Sequence, residues 1–211
     1  MAAPIQHFGG QVERIWNDLR PITRSLVERA WQSSENTRPA QPGRTLIGSG
    51  AEPYDARSDW ELGRLLIALD ERVRELGASQ PEEQAQDARH MAETCARVLS
   101  EQTQSAEVFA QLIARAQERN DYATIDALAN TLASRLAPTE ICELTRSSST
   151  VVRAIAQDVL THAPAAVLAA LLRDPFDGEV ARLALERQMT DYGTEEVRQL
   201  LADMETTGLS S

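Results

Sequence analysis

Apolar residues recur at intervals of three and four along most of the chain, which is the spacing of one face of an α-helix. The first such stripe runs from Phe8 to Trp31 and predicts an amphipathic helix over residues 1–32. Pro21 interrupts this stripe, so a kink or a break is expected near Leu19-Arg20. Between residues 33 and 57 the periodicity disappears into a polar run punctuated by Pro and Gly, which predicts a long linker.

Two more amphipathic stretches follow the predicted linker. Ser58-Asp59-Trp60-Glu61 has the form of a capping box, with Ser58 as the N-cap and Glu61 reaching back. The helix that follows is expected to end at Gly77, which suits a left-handed C-cap. The next helix is predicted to begin at Ser79-Gln80-Pro81-Glu82, and a further helix carries the apolar face from Val108 to Ala116.

The chain repeats itself between about Thr139 and Glu205. An offset of 29 residues places Val151–Ala156 on Val180–Leu185, and a fainter copy lies upstream at an offset of 27. A fixed period of 20–50 residues is typical of stacked supersecondary units. Short connections make neighbouring helices antiparallel. The expected helices span about 122–135, 139–147, 150–162, 165–173, 178–191 and 194–205.

Small and large apolar residues alternate within the repeats. Ala154, Ala156, Ala181 and Ala184 would let helices approach closely, while larger residues such as Leu183 are expected to fill the core. The serine cluster Ser147-Ser148-Ser149 lacks a basic partner by sequence and is interpreted as a helix N-cap.

The segment from Asp174 to Glu186 resembles the turn and second helix of a HEAT repeat. That pattern has a polar Asp-Pro turn, then Val, a nearby Arg, and Ala and Leu at core spacing; Ser149–Ala156 is similar but lacks the Asp-Pro. The resemblance to HEAT and armadillo repeats covers about residues 106–205. It implies an all-α fold, in which antiparallel helix pairs form a right-handed stack, or α-solenoid. We therefore expect an N-terminal helix at 1–32, a linker at 33–57 and a helical repeat domain at 58–211.

Composition agrees with a helical protein and limits its partners. The chain contains few aromatic residues and is rich in Ala and Leu, which favours helix over strand. The net charge is −11, and the residues from Ser58 onward carry −12, which disfavours binding to nucleic acid. All 21 basic residues are Arg, which we interpret as the codon bias of a GC-rich, bacterial genome.

Targeting signals are not evident in the sequence. Cys95 and Cys142 lie among apolar residues, which favours buried thiols in a reducing compartment over a disulfide. The first residues lack the basic and apolar regions of a signal peptide, and no apolar run approaches the ~20 residues that cross a bilayer. A cytoplasmic protein without a membrane partner is expected.

The sequence contains no strong catalytic or metal-binding motif. The three histidines form no His-Glu-x-x-His, and the two cysteines form no Cys-x-x-Cys. Asp87, His90 and Glu93 share one predicted helical face, for which a solvated surface is the preferred interpretation over a metal site. We therefore expect no catalytic, cofactor or metal residues.

Three functional hypotheses follow. The preferred one is a non-catalytic scaffold or protein–protein interaction module that uses the repeat surface. Its candidate partner-binding residues are Arg153 and Arg182, which could equally tie each turn to an acidic neighbour, and Trp16 and Trp31, which could equally pack the N-terminal helix onto its own domain. The alternatives are a HEAT-like enzyme or small-ligand-binding protein, and a helical bundle that forms homo-oligomers through the N-terminal helix as an assembly arm.

Overall fold

The computed structural model describes residues 8–35, 54–77 and 82–192, together with Ile5. All regular secondary structure in these residues is helical, which confirms the predicted all-α class. The chain divides into two compact units, Met1–Thr103 and Gln104–Ser211. This division falls inside the segment predicted as one repeat domain at 58–211. The predicted helix at 194–205 and most of the linker at 33–57 lie outside the described residues.

The first unit contains four described helices, two of which are the longest in the described chain. They are α1 (Gly10–Asp18), α2 (Pro21–Glu35), α3 (Ala56–Gly77) and α4 (Glu82–Gln102). The break between α1 and α2 falls at Leu19-Arg20, as Pro21 predicts. Helix α3 packs against α1, α2 and α4, and α2 also contacts α4. The large side chains that are fully buried in this unit are Phe8, Leu62, Leu65, Leu66, Leu69, Leu76, Met91 and Leu99.

Helix α3 differs from the prediction at both ends. It begins three residues earlier than expected, because the carboxylate of Asp55 accepts a hydrogen bond from the backbone N–H of Ser58 at 2.8 Å and so takes the N-cap position. The capping box at Ser58 and Glu61 was therefore wrong, since Ser58 lies in the first turn and Glu61 is buried. The left-handed cap at Gly77 was also wrong, because the helix includes this residue and its φ is not positive.

The second unit consists of helices of 7 to 15 residues joined by short turns. They are α5 (Ala106–Glu118), α6 (Tyr122–Arg135), α7 (Pro138–Leu144), α8 (Thr150–Thr161), α9 (Ala165–Leu171) and α10 (Gly178–Tyr192). These bounds lie within three residues of the predicted ones. Contacts join α5 to α6, α7 to α8, and α9 to α10; in addition α7 contacts α5 and α9, and α8 contacts α6 and α10.

Side-chain caps define where several of these helices begin. Ser105, Asp121 and Ser149 accept hydrogen bonds from the backbone N–H three residues later, at the starts of α5, α6 and α8. The N-cap interpretation of the serine cluster is thus confirmed at Ser149. Gly178 begins α10 where a Cβ would lie 2.7 Å from the carbonyl oxygen of Leu172. Only glycine fits this close approach of two backbone segments without a shift.

Two positions predicted to pack in the repeat core are exposed. Leu183 is 52% exposed, and Ala154, which precedes it by the 29-residue offset, is exposed as well. The reason is the helical period: the buried face of α10 carries Ala181, Ala184 and Leu185, and Leu183 lies well off that face. The prediction that Leu183 fills the core was therefore wrong.

No single described helix is both long enough and apolar enough to cross a membrane. Helices α8 and α9 reach the length and apolar composition only when taken together, and the chain bends by 115° between them.

Candidate functional site

The second unit contains a groove between α8 and α10, with a volume of about 460 Å³. Its buried floor is formed by Leu160, Thr161 and Ala184. Its remaining lining comes from Thr145, Arg146, Gln157, Val180, Leu183 and Arg187. We call this surface the α8–α10 groove. An apolar floor with a few polar groups around it is the usual composition of a binding cleft.

One side of the α8–α10 groove is fixed by a hydrogen-bonded turn. The guanidinium of Arg146 donates to the backbone oxygen of Phe176 at 2.6 Å and to Oδ1 of Asp177 at 2.5 Å. Asp174 accepts hydrogen bonds from the backbone N–H groups of Phe176 and Asp177, and these lower its pKa. The turn therefore holds its shape, and Phe176 projects from it with 80% of its surface exposed.

The cations of the α8–α10 groove are already paired within the chain. Arg146 forms a salt bridge with Asp177, and Arg187 lies 3.5 Å from Asp191. Their positive charge is partly neutralised, so the groove offers shape and apolar surface more than charge. Leu183, exposed on its wall, is the residue best placed to contact an occupant.

The recurring arginines Arg153 and Arg182 have local partners. Arg153 donates to the carbonyl oxygens of Ser147 and Ser148, at 2.7 and 3.0 Å. Arg182 pairs with Glu179, at 2.5 Å, and with Glu186, and the pKa of Glu179 is lowered by the Arg182 guanidinium. Neither arginine lines the α8–α10 groove. The Arg182–Glu179 pair is the acidic-neighbour contact that the sequence offered as the alternative, whereas Arg153 contacts carbonyl oxygens and no acidic neighbour in these hydrogen bonds.

The candidate tryptophans Trp16 and Trp31 lie in the core of the first unit. Trp16 is 9% exposed and Trp31 is 4% exposed, and the Trp31 ring meets the His90 ring edge-on with centroids 4.4 Å apart. Neither indole is presented on the surface, which fits packing of the N-terminal helices onto their own unit. The contact also places the His90 ring against Trp31, whereas a solvated helix face was expected for Asp87, His90 and Glu93.

The first unit contains a polar cluster around one buried carboxylate, and this cluster was not predicted from the sequence. Glu61 is 3% exposed and accepts hydrogen bonds from Thr23 Oγ1 at 2.5 Å and from the Nε atoms of Arg20 and Arg57, both at 3.1 Å. Arg20 also forms two hydrogen bonds with Asp55, at 2.9 and 2.6 Å. We call Arg20, Thr23, Asp55, Arg57 and Glu61 the Glu61 cluster.

Electrostatics show that the Glu61 cluster holds charged carboxylates. Burial by itself would raise the pKa of Glu61, but the hydrogen bonds from Thr23 and Arg20 outweigh it, and the pKa is lowered. The hydrogen bonds from Arg20 and Ser58 lower the pKa of Asp55. Because both carboxylates are ionised and already accept several protein hydrogen bonds, the cluster has the character of a structural anchor between the start of α2 and the start of α3.

The cysteine thiols and the potential metal-binding side chains of the described residues form no reactive site. Both cysteines are buried, as predicted. Burial is the main cause that raises the pKa of Cys142 to about 11, and the negative charge of Asp177 adds to it. A thiol with that pKa is protonated at neutral pH and is a poor nucleophile. Within residues 8–35, 54–77 and 82–192, no three or more His, Cys, Asp and Glu side chains come together in a way that could hold a metal ion.

The α8–α10 groove was not predicted from the sequence because its lining comes from three separate segments between Thr145 and Arg187. One signal was available: the repeat alignment matches Leu183 to the small residue Ala154, so the second copy carries a leucine where the first needs none. The chain matches no protein-family model, and no curated protein sequence or solved structure is significantly similar to it.

Proposed function

We propose that the chain is a non-catalytic protein-binding module of stacked helix pairs, and that a helical segment of a partner protein docks in the α8–α10 groove. The observation that carries this proposal is the combination of a buried apolar floor with exposed Leu183 on its wall. Binding of an amphipathic helix in an apolar groove is a common recognition mode, and apolar side chains from successive turns of the partner helix would occupy the cleft.

The order of helix contacts supports the HEAT-like part of the proposal. Each predicted pair is in contact, and corresponding helices of successive pairs also touch: α5 with α7, α6 with α8, α7 with α9, and α8 with α10. In a solenoid each repeat contacts its neighbours in this order. The right-handed sense of the stack is part of the proposal.

The test is recovery of the partner by tagged protein from a lysate, followed by affinity measurement with the purified partner. Leu183→Glu places a charge on the groove wall, and we expect it to weaken binding about tenfold or more. Ala154→Glu is the matched control, because this exposed position of α8 does not line the groove. Equal binding by both variants, or no saturable partner for the wild-type chain, would contradict the proposal.

Arg153→Glu and Arg182→Glu test the earlier assignment of these residues. Their guanidinium groups are held by their own turns and helices, so we expect partner binding to change less than with Leu183→Glu. If they abolish binding while the helical content is unchanged, the recognition surface includes the face that carries these arginines.

A small-ligand-binding function is the second candidate. The volume of the α8–α10 groove lies within the ~300–1,000 Å³ typical of small-molecule sites. Screening small apolar and amphiphilic compounds by thermal shift tests this candidate, and a hit should lose its effect in Leu183→Glu but keep it in Ala154→Glu.

The cytoplasmic location and the homo-oligomer formed through residues 1–32 also remain proposals. Trp16 and Trp31 are buried in the first unit, so an assembly arm would use other side chains of these helices.

A further inference from the structure

Helix α3 carries a continuous exposed stripe on the side away from its buried face. Arg57, Trp60, Arg64 and Ile67 follow one another at steps of three, four and three residues, and all four are exposed. This alternation keeps side chains on one face of a helix, as in the seam of a coiled coil. Trp60 is 57% exposed and Ile67 is 48% exposed. We call these four residues the α3 stripe.

The central pair of the α3 stripe, Trp60 and Arg64, is in mutual contact. The guanidinium carbon of Arg64 lies 4.6 Å from the centre of the Trp60 ring, which is cation–π geometry. Restricting both side chains in this way lowers the entropy that a partner must remove on binding. Trp and Arg are the residue types most enriched among binding hot spots.

The α3 stripe is positively charged on an acidic chain. Arg64 forms no ion pair among the described residues, and Arg57 is 66% exposed while its Nε contacts Glu61. Glu61 itself is buried and shared with Arg20 and Thr23, so it neutralises little of the exposed surface. The chain as a whole carries −11. The two exposed arginines beside Trp60 and Ile67 therefore form a positively charged surface on a chain whose net charge is negative.

We propose that the α3 stripe binds an acidic amphipathic helix of another protein. Apolar side chains of that helix would cover Trp60 and Ile67, and its flanking Glu or Asp residues would pair with Arg57 and Arg64. This surface lies in the first unit and is separate from the α8–α10 groove, so it goes beyond the function proposed above. A phosphate backbone or an anionic lipid surface fits less well, because the net charge of −11 repels an extended array of negative charges.

The experiment is selection from a displayed library of helical peptides against the full chain. Each peptide has apolar residues at heptad positions a and d, and its flanking positions vary among Glu, Gln and Lys. Binding of the selected peptides is measured at low and high salt, together with protection of Trp60 from acrylamide quenching. Trp60 supplies this signal because the other two indoles are buried.

Four substitutions and one groove variant make the test specific. We expect enrichment of Glu at the flanking positions, weaker binding at high salt, and a loss of affinity of about tenfold or more in Trp60→Ala and in Arg64→Gln. Tyr122→Ala and Arg173→Gln remove an exposed aromatic residue and an exposed arginine from the second unit, and should leave the affinity unchanged. Leu183→Glu should also leave it unchanged, so the two proposals fail independently.

Several results would overturn the inference. These are no enrichment, enrichment of Lys or Gln at the flanks, or affinities that Trp60→Ala and Arg64→Gln do not change. Sedimentation of a dimer that Trp60→Ala dissociates would instead assign the stripe to a second copy of the chain. Protection of Trp60 by anionic vesicles or single-stranded DNA at physiological salt, in place of acidic peptides, would assign it to a phosphate-bearing partner.

Discussion

The two units hold their helices together in different ways. In the first unit, Arg20 bonds Asp55 across 35 residues, Thr23 bonds Glu61 across 38, and Arg97 bonds the carbonyl of Ala30 across 67. In the second unit, neighbouring helix pairs are joined by contacts closer in sequence: Arg146 reaches Asp177 across 31 residues, and Gln188 reaches the carbonyl of Ala163 across 25.

The difference predicts where each unit is sensitive to change. The first unit concentrates several polar contacts on one buried carboxylate, so removing Glu61 affects three partners at once. The second unit distributes its polar contacts over caps and turns, each of which involves few residues. Because each of these contacts involves few residues, single polar substitutions in the second unit should cost less unfolding free energy.

The largest effect is expected for Glu61→Ala. This variant leaves Thr23 and Arg20 without their buried acceptor, and breaking a buried charged pair typically costs about 3–5 kcal/mol. Because Arg20 keeps Asp55 as a partner, we expect about 3 kcal/mol of lost unfolding free energy. Urea titration followed by tryptophan fluorescence measures it, since all three tryptophans lie in the first unit.

Glu179→Ala is the control in the second unit for Glu61→Ala. Glu179 is 66% exposed in its pair with Arg182, and exposed ion pairs contribute about 0–1 kcal/mol. If the two variants lose equal stability, the contrast between concentrated and distributed contacts is wrong.

Acid should destabilise the first unit by protonating the carboxylates of Glu61 and Asp55. The pKa values of Glu61 and Asp55 are lower in the folded chain than in the unfolded one, so the stability that they contribute is complete above their unfolded values, about 4. It is lost as the pH falls through the folded values. Tryptophan-monitored unfolding between about pH 5 and pH 2 should show this decrease, and Glu61→Gln should reduce its slope. An unchanged slope in Glu61→Gln would remove Glu61 as the source.

Gly178→Ala adds a single methyl group, and we expect it to lower the unfolding free energy of the second unit. The added Cβ would meet the Leu172 carbonyl oxygen at 2.7 Å, and crowding against backbone typically costs about 1–3 kcal/mol. Far-UV circular dichroism during thermal unfolding measures the loss. Gly10→Ala is the control, because its Cβ meets nothing within 4 Å, and it should be neutral or slightly stabilising.

The helices of the second unit were easier to predict from the sequence than the polar contacts of the first unit. In the second unit, periodicity, breakers and the repeat offset placed α6 to α10 within three residues, because local signals determine these helices. In the first unit, the Pro21 break was predicted, but the Glu61 cluster was not. Glu61 was assigned to a local capping box because its true partners are Arg20 and Thr23, far away in sequence.

The binding surfaces were harder to predict than the fold. Trp16 and Trp31 were candidates because tryptophan is a frequent interface residue, yet burial depends on which helices cover them. Trp60 lies in a predicted helix but was not a candidate binding residue. Its exposure and its contact with Arg64 distinguish it from the buried Trp16 and Trp31. Helical spacing identifies a face, but the packing of the other helices determines whether that face is covered.

The smallest effect is expected for Ser149→Ala at the start of α8. The Ser149 hydroxyl accepts from the Val152 N–H at 3.4 Å, a long hydrogen bond, so the loss should be near the lower end of the 0.5–2 kcal/mol range, about 0.5 kcal/mol. Hydrogen exchange of the first-turn amides measures it directly, because faster exchange at Val152 reports fraying of this end. Ser148→Ala is the matched control, since the exposed Ser148 is not the N-cap. If stability falls by 2 kcal/mol or more in Ser149→Ala, a single local cap supports the whole second unit, and its contacts are not distributed.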